Sequence, residues 1–465
     1  MIGSNSRETA FWDLVYLGVL SCFFMLFGLG SGSLASWDEA IYATVAREMA
    51  ASGQWLKPTF LGRLWLEKPP LTLWATAFFQ RIFGAHEFSA RFFSALCGVG
   101  GVIITYFLGR KLFGRWTGFL GAAVLLSSSH YFHRARFGMM DAPLAFFLSV
   151  ALYFFWVGRE RSAYFPVSGA ALGLALLAKG AAALLFFPIV VIYALAAGET
   201  ALLRRPLWTV AAFAALVALP WNFYAFKTYP QEAAGDMKAH VFLRAGTALD
   251  GHVGNWYFYI RTLINKYHPW ILIGVVSGPL FLFQSFRRRQ KEVLFLAVWM
   301  FTVFIVFTAV RTKLAWYIVP VYPALSLSVA YVLARFLKER HQNLVKLAFA
   351  LLMVIHIPES HIFSQDYSRP VKALADTVRR VPSGQTVHLY NYHENPAAAY
   401  YWLRACVYLD GEAAFDAAAS APGPFFCLIA QKDLTPLEPR LAAWGVGVRE
   451  TAGDYRWLTK EGDGT

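Results

Sequence analysis

Residues 36–71 read SWDEAIYATVAREMAASGQWLKPTFLGRLWLEKPPL; the first long apolar run of the chain precedes them and the second follows. A stretch in that position connects two membrane spans. Its charge exceeds what a link requires. It carries an acidic pair (Asp38, Glu39), Arg47 on a helical repeat, and the cluster Glu67-Lys68-Pro69-Pro70. Carboxylates and a lysine held beside a bilayer mark chemistry or transport.

Working outward, the 465 residues are 57% hydrophobic and only 15% charged, with a mean hydropathy of +0.45. The apolar residues come in runs of about 17–25, the length that crosses a hydrocarbon slab as a helix. Aromatics make up 17% of the chain, and Trp and Tyr crowd the ends of those runs, where interfacial rings belong. The runs show no period-2 alternation, and only helices satisfy their own backbone in lipid without closing a barrel. The expected fold is therefore an all-α polytopic membrane bundle of about eleven transmembrane helices. The spans fall near 11–30, 88–109, 116–132, 141–157, 164–178, 181–198, 207–226, 268–284, 292–310, 314–334 and 343–357. The first run lacks a small-residue cleavage site and reads as a retained helix.

Basic residues orient the bundle. With the N-terminus inside, the inner connections hold Arg110, Lys111 and Arg115; Arg159 and Arg161; Arg204 and Arg205; Arg287, Arg288, Arg289 and Lys291; then Arg335, Lys338, Arg340 and Lys346. That distribution satisfies the positive-inside rule and gives the net charge of +14 a membrane explanation rather than a nucleic-acid one. Four segments then share the outer face: the opening stretch, 130–141, 229–268 and 311–317. The domains expected are a transmembrane domain over 1–357, including outer loops 31–87 and 227–267, and a small periplasmic α/β domain over 358–465. The tail reads as α/β from its short apolar runs TVHLY (386–390) and PFFCLIA (424–430) and the helix-like VKALADTVRRV. Cys406 and Cys427 both fall in it, as a disulfide if it lies outside the cytoplasm or as two free thiols. Cys22 and Cys97 read as packing residues in apolar runs.

Each candidate residue has a plainer reading beside the chemical one. Ser36 through Glu39 fits a capping box for a helix ending at Gly53. Glu67-Lys68-Pro69-Pro70 opens a second helix from Leu71, so Lys68 sits near a positive helix end suited to phosphate, or merely pairs with Glu67. Asp141 starts a span, with Arg134 or Arg136 as a structural partner; Lys179 reads as a snorkelling lysine. The third segment carries Arg244 and His252, with His240 as a rival, and the fourth places Lys313 and Tyr317 at an i,i+4 spacing. Acids and cations from separate loops suit binding an anionic group while a carboxylate accepts a proton. No P-loop, GxGxxG, HExxH or GxSxG motif is present.

The motifs DEAIYATVAREMAASGQW (38–55), LEKPPLTLWATAFFQRIFG (66–84) and EFSARFFSALCG (87–98) resemble the first outer loop of bacterial membrane glycosyltransferases. Those are the enzymes related to lipid A aminoarabinose transferase and protein O-mannosyltransferase. RFGMMDAPLAFF, LGLALLAKGAAALLFFP, HVGNWYFYI and TKLAWYIVPVYPALSL continue the match in order to about residue 330. The resemblance implies a C-type glycosyltransferase fold in the bacterial inner membrane, with the active site facing the periplasm. It implies an undecaprenyl-phosphate-linked sugar donor and a lipid A or lipopolysaccharide, other glycan or protein acceptor. It places Asp38, with Glu39 beside it, and Asp141 at the reaction centre. Lys68, Arg244 and Tyr317, with Lys313, fall at the carrier phosphate, and Glu67, with His252, where relatives can bind a divalent metal. The span count and the unmatched C-terminal portion depart from the aminoarabinose transferases. The competing class is a transporter or flippase of lipid-linked sugars, which would thread polar residues to both faces.

Overall fold

A computed structural model describes residues 2–35, 37–238, 253–288, 290–359, 366–391 and 395–460. The chain divides into two compact units, one of residues 1–29, 66–79 and 91–362, the other of 30–65, 80–90 and 363–465.

The first unit is the helical bundle. Among the described residues seven helical segments are long and apolar enough to cross a membrane: Glu8–Leu26, Glu87–Phe113, Asp141–Gly158, Tyr164–Ala196, Thr200–Thr228, Lys291–Ala309 and Ala315–Phe336. Shorter apolar helices cover Arg115–Leu126 and Ile271–Phe281, and the last expected span is the helix Gln342–Glu359. Those three helices account for three of the four spans by which seven falls short of eleven, and the fourth is lost because two expected spans form the single run Tyr164–Ala196. That run nonetheless reverses. Asp141 and Arg159 flank the 18-residue helix Asp141–Gly158, some 27 Å long at an α-helical rise. Lys179 pairs with Asp141, while Glu199, just past the run, pairs with Arg159 at 2.6 Å. The turn is made at Gly180, whose φ of +59° and ψ of −135° belong to a region that a side chain disfavours.

Small residues let the helices approach. A Cβ on Gly118 would stand 2.6 Å from the Tyr106 carbonyl oxygen, so Arg115–Leu126 lies backbone to backbone on Glu87–Phe113. One end of the bundle is closed by ion pairs from the basic connections. Glu199 also meets Lys291 at 2.6 Å, and Lys111 meets Glu160 at 2.7 Å. Buried Asp13 pairs with Arg115 and, at 2.9 Å, with Lys346. The basic connections assigned to one side thus gather at one end.

The second unit is α/β, and it contains most of the opening stretch. Residues 30–65 and 80–90 fold with the tail, where the sequence had grouped 31–87 with the spans. Its five strands are β3 (Val387–Tyr390), β4 (Val407–Leu409), β5 (Phe425–Ala430), β6 (Gly447–Ala452) and β7 (Tyr455–Lys460), after the hairpin β1 (Thr59–Phe60) and β2 (Arg63–Leu64). They form a sheet of order β4-β3-β5-β7-β6, parallel from β4 to β5 and antiparallel beyond. Ala40 and Ala43 of the helix Asp38–Ser52 are buried in one core with Val371, Leu374, Tyr401 and Trp402. The helix expected to lie along the bilayer surface is therefore an element of this core. Arg47 is structural: it donates to the carbonyls of Ala399, at 3.2 Å, and Tyr400.

Tyr401 ties three segments together. Its hydroxyl donates to Glu87 Oε1 at 2.9 Å and accepts from the Leu34 amide at 2.8 Å, and Lys372 meets the same carboxylate oxygen at 2.5 Å. Burial first, and the Glu87 charge next, push the phenol pKa upward, so it stays a donor. Of the two readings left open for Cys406 and Cys427, the structure shows free thiols. Cys406 directly precedes β4 and Cys427 lies on β5, with β3 between them, and two strand spacings of about 9–10 Å exceed what a disulfide spans. Replacing Tyr401 by Phe leaves a buried amide and a carboxylate short of a partner. The variant should lose about 1–3 kcal/mol of stability, read as a lower thermal unfolding midpoint in detergent.

Candidate active site

At the opposite end of the bundle from the Glu199 cluster, residues from four separate segments of the first unit meet. Asp141 is the first residue of its helix, where a carboxylate complements the positive helix end. It is 1% exposed and paired with the Lys179 ammonium. Lys179 closes the helix Tyr164–Lys179, and its ammonium also lies 5.5 Å from the centre of the Tyr317 ring. Next along the chain, Gly180 packs against Pro69; a Cβ there would stand 3.4 Å from Pro69 Cγ. Pro69 follows Lys68, which is half-buried, and Glu67, which is exposed. The second helix runs Leu71–Phe83, as the proline pair implied. Removing one partner of a buried pair such as Asp141–Lys179 costs about 3–5 kcal/mol, because the other charge is stranded.

Several expectations are corrected here. Neither arginine of 130–141 is the ion partner of Asp141. Arg136 Nη1 donates to the carbonyls of Phe24 at 2.6 Å and Met25 at 3.0 Å, at the end of the helix Ile2–Leu26, and Arg134 lies 4.4 Å over the Trp316 ring. Lys179, read as snorkelling, is that partner instead. Lys313 and Tyr317 do not share an α-helical face, because Lys313 precedes the 3-10 turn Ala315–Val321 that carries Tyr317. Lys313 Nζ donates to the carbonyls of Phe307 (3.1 Å), Thr308 (2.6 Å) and Val310, satisfying the end of Lys291–Ala309. Its stem also touches the third segment, since a Cβ on Gly254 would stand 2.9 Å from Lys313 Cγ.

In the second unit, Asp38 begins the helix Asp38–Ser52 and is half-buried, while Glu39 is buried. The capping box takes a different form from the one expected. Trp37 occupies the cap position at a φ of +70° with no side-chain cap bond, and Glu39 Oε2 reaches back to accept from the Ala35 amide at 2.7 Å. Ser36, Arg244, His240 and His252 lie outside the described residues. A divalent metal at Glu67 finds no set of three His, Cys, Asp or Glu ligands among the described residues.

The residue that sequence reasoning undervalued is Lys179. Its signal was present in Ala178-Lys179-Gly180, a one-glycine reversal between two apolar runs, which places the lysine at a bundle end with the other charged segments. Lys313→Met should lower the thermal unfolding midpoint, since three helix-terminal carbonyls lose their donor. Undecaprenyl phosphate affinity should change less than about threefold, as expected of a capping role, measured by titration of the purified protein.

The family described as dolichyl-phosphate-mannose-protein mannosyltransferase matches residues 67–224. Among curated relatives, undecaprenyl phosphate-alpha-4-amino-4-deoxy-L-arabinose arabinosyl transferase 2 of Proteus mirabilis is 28% identical over 324 residues, which are 67% of this chain and 58% of the relative. The corresponding transferase of Aeromonas salmonicida is 28% identical over 378 residues, 74% of this chain and 66% of that one. The chain thus spans about three-fifths of the length of the curated relatives it matches. Among solved structures, ArnT from Cupriavidus metallidurans bound to undecaprenyl phosphate superposes with a TM-score of 0.79 at 19% identity, over 96% of this chain and 98% of that one. The chain resembles, in sequence and in fold, the polyprenyl-phosphate-sugar-dependent membrane glycosyltransferases of the ArnT and protein O-mannosyltransferase group, and its fold is their C-type glycosyltransferase fold.

Proposed function

We propose that this chain is a glycosyltransferase of the bacterial inner membrane. It moves a sugar from an undecaprenyl-phosphate-linked donor to a lipid A or lipopolysaccharide, other glycan or protein acceptor on the periplasmic face. The observation that carries the reading is the convergence of Asp141, Lys179, Tyr317 and the Glu67–Pro70 segment at one bundle end, away from the basic connections. The relatives' names supply the donor class. The positive-inside rule supports a periplasmic site.

The chemistry follows from the donor. The acceptor oxygen attacks the anomeric carbon from the face opposite the phosphate, so that one carbon–oxygen bond forms as the other breaks and the configuration inverts. Negative charge grows on the departing phosphate, and fixed cations and donors aimed at it lower the barrier. Lys68, Arg244 and Tyr317 take that role. Asp38 orients the nucleophile and, for a hydroxyl acceptor, takes its proton. A lipid A phosphate acceptor is already anionic and would need Asp38 only as an orienter. The energy of transfer resides in the donor's own sugar–phosphate bond, so no nucleoside triphosphate is needed.

Asp38→Asn should abolish transfer in membranes while leaving undecaprenyl phosphate binding largely intact; undiminished transfer would remove Asp38 from the chemistry. Lys68→Ala should weaken undecaprenyl phosphate binding by about tenfold, the worth of one charge-assisted contact, as read in a titration of the purified protein.

A further inference from the structure

The pair at the head of the helix Asp141–Gly158 uses only half of the carboxylate. Lys179 holds Oδ1 of Asp141, while Oδ2 is buried and has no hydrogen-bond partner among the described residues. A buried carboxylate oxygen without a donor is costly, so its lone pairs define what the position takes: an O–H or N–H group. Lys179 is itself fixed from two sides. Its ammonium lies over the Tyr317 ring, and its backbone enters the Gly180 turn, which packs on Pro69.

We propose that Lys179 is a positioning residue: by engaging Oδ1 of Asp141 it aims Oδ2 to accept a hydrogen bond from a hydroxyl or ammonium group of the transferred sugar. The assignment rests on the transferase reading above. It gives the ammonium two tasks. Lys179 holds Asp141 in one rotamer, and it sets that carboxylate in register with Tyr317, assigned to the carrier phosphate. Asp141→Asn, which turns the amide oxygen toward Lys179, presents an N–H donor where Oδ2 stood, opposing the same sugar group without loss of volume.

The test compares Asp141→Asn, Lys179→Met, Lys179→Arg and the double variant Asp141→Asn/Lys179→Met. Each is expressed in a strain lacking this gene, with modified product measured by mass spectrometry of surface glycoconjugates. Undecaprenyl phosphate titrated into each purified protein is the control for folding and for the phosphate site. The expected result is a product loss of about tenfold or more for Asp141→Asn and for Lys179→Met, with Lys179→Arg recovering a substantial part, and a double variant no worse than the poorer single one. Undecaprenyl phosphate should bind all four within about threefold of the unaltered protein, since the substitutions deprive the sugar of its partner and leave the phosphate's own in place. Wild-type product from Lys179→Met, or single losses that multiply in the double variant, would overturn the proposal. Loss of undecaprenyl phosphate binding in Lys179→Met, unrestored by Lys179→Arg, would make Lys179 a structural strut and overturn it too. An unaltered protein that neither binds undecaprenyl phosphate nor restores product would refute the transferase reading itself, and with it the proposal.

Discussion

A carboxylate buried at the end of a membrane helix must be paired, and at Asp141 that requirement shapes the first unit. The helix Tyr164–Lys179 delivers the partner ammonium at its last residue, and the chain then reverses at Gly180, turning one apolar run of residues into a hairpin. Pro69 packs beside the glycine that makes the turn, which brings the Glu67–Pro70 segment to the same place. Tyr317 completes the group, its ring centre 5.5 Å from the ammonium. Electrostatic pairing, backbone conformation and helix packing thus agree on one location.

The charged connections divide in a way that fits this arrangement. Asp13 and Glu199 each have both carboxylate oxygens met by arginine or lysine from neighbouring connections, and exposed Glu160 adds a pair with Lys111, which together fasten one end of the bundle. Asp141 differs, since one of its oxygens is paired and the other is not. Stability accounts for the first set. For Asp141, the proposed sugar contact would give the half-used carboxylate its missing partner.

Much of this was legible in the sequence. Apolar runs of membrane-crossing length located the helices, because lipid leaves the backbone no other choice. The segments sorted to one face by basic residues, 130–141 and 311–317, do share one end of the bundle, through Arg134 on Trp316 and Lys179 between Asp141 and Tyr317. Partner choice was not legible. Arg136 and Asp141 are neighbours in the chain, yet Arg136 is turned to the end of a different helix, and only the packing shows that. The same holds for Lys313, whose spacing suggested a shared face with Tyr317 although a helix terminus captured its three protons. The role of Asp38–Ser52 was hidden for another reason. Its apolar side suits a bilayer surface as well as a protein core, and only tertiary structure reveals that Ala40 and Ala43 pack beside Tyr401 and Trp402.

The most direct measurement follows a labelled sugar. The purified protein, reconstituted in liposomes, is given polyprenyl-phosphate-linked sugars metabolically labelled in the source cells, together with the cells' own surface glycoconjugates. The expected result is label appearing on an acceptor, with undecaprenyl phosphate released in equal amount and the anomeric configuration inverted. Label that crosses the bilayer while still joined to its carrier, with none reaching an acceptor, would contradict the transferase assignment and establish a carrier of lipid-linked sugars in its place.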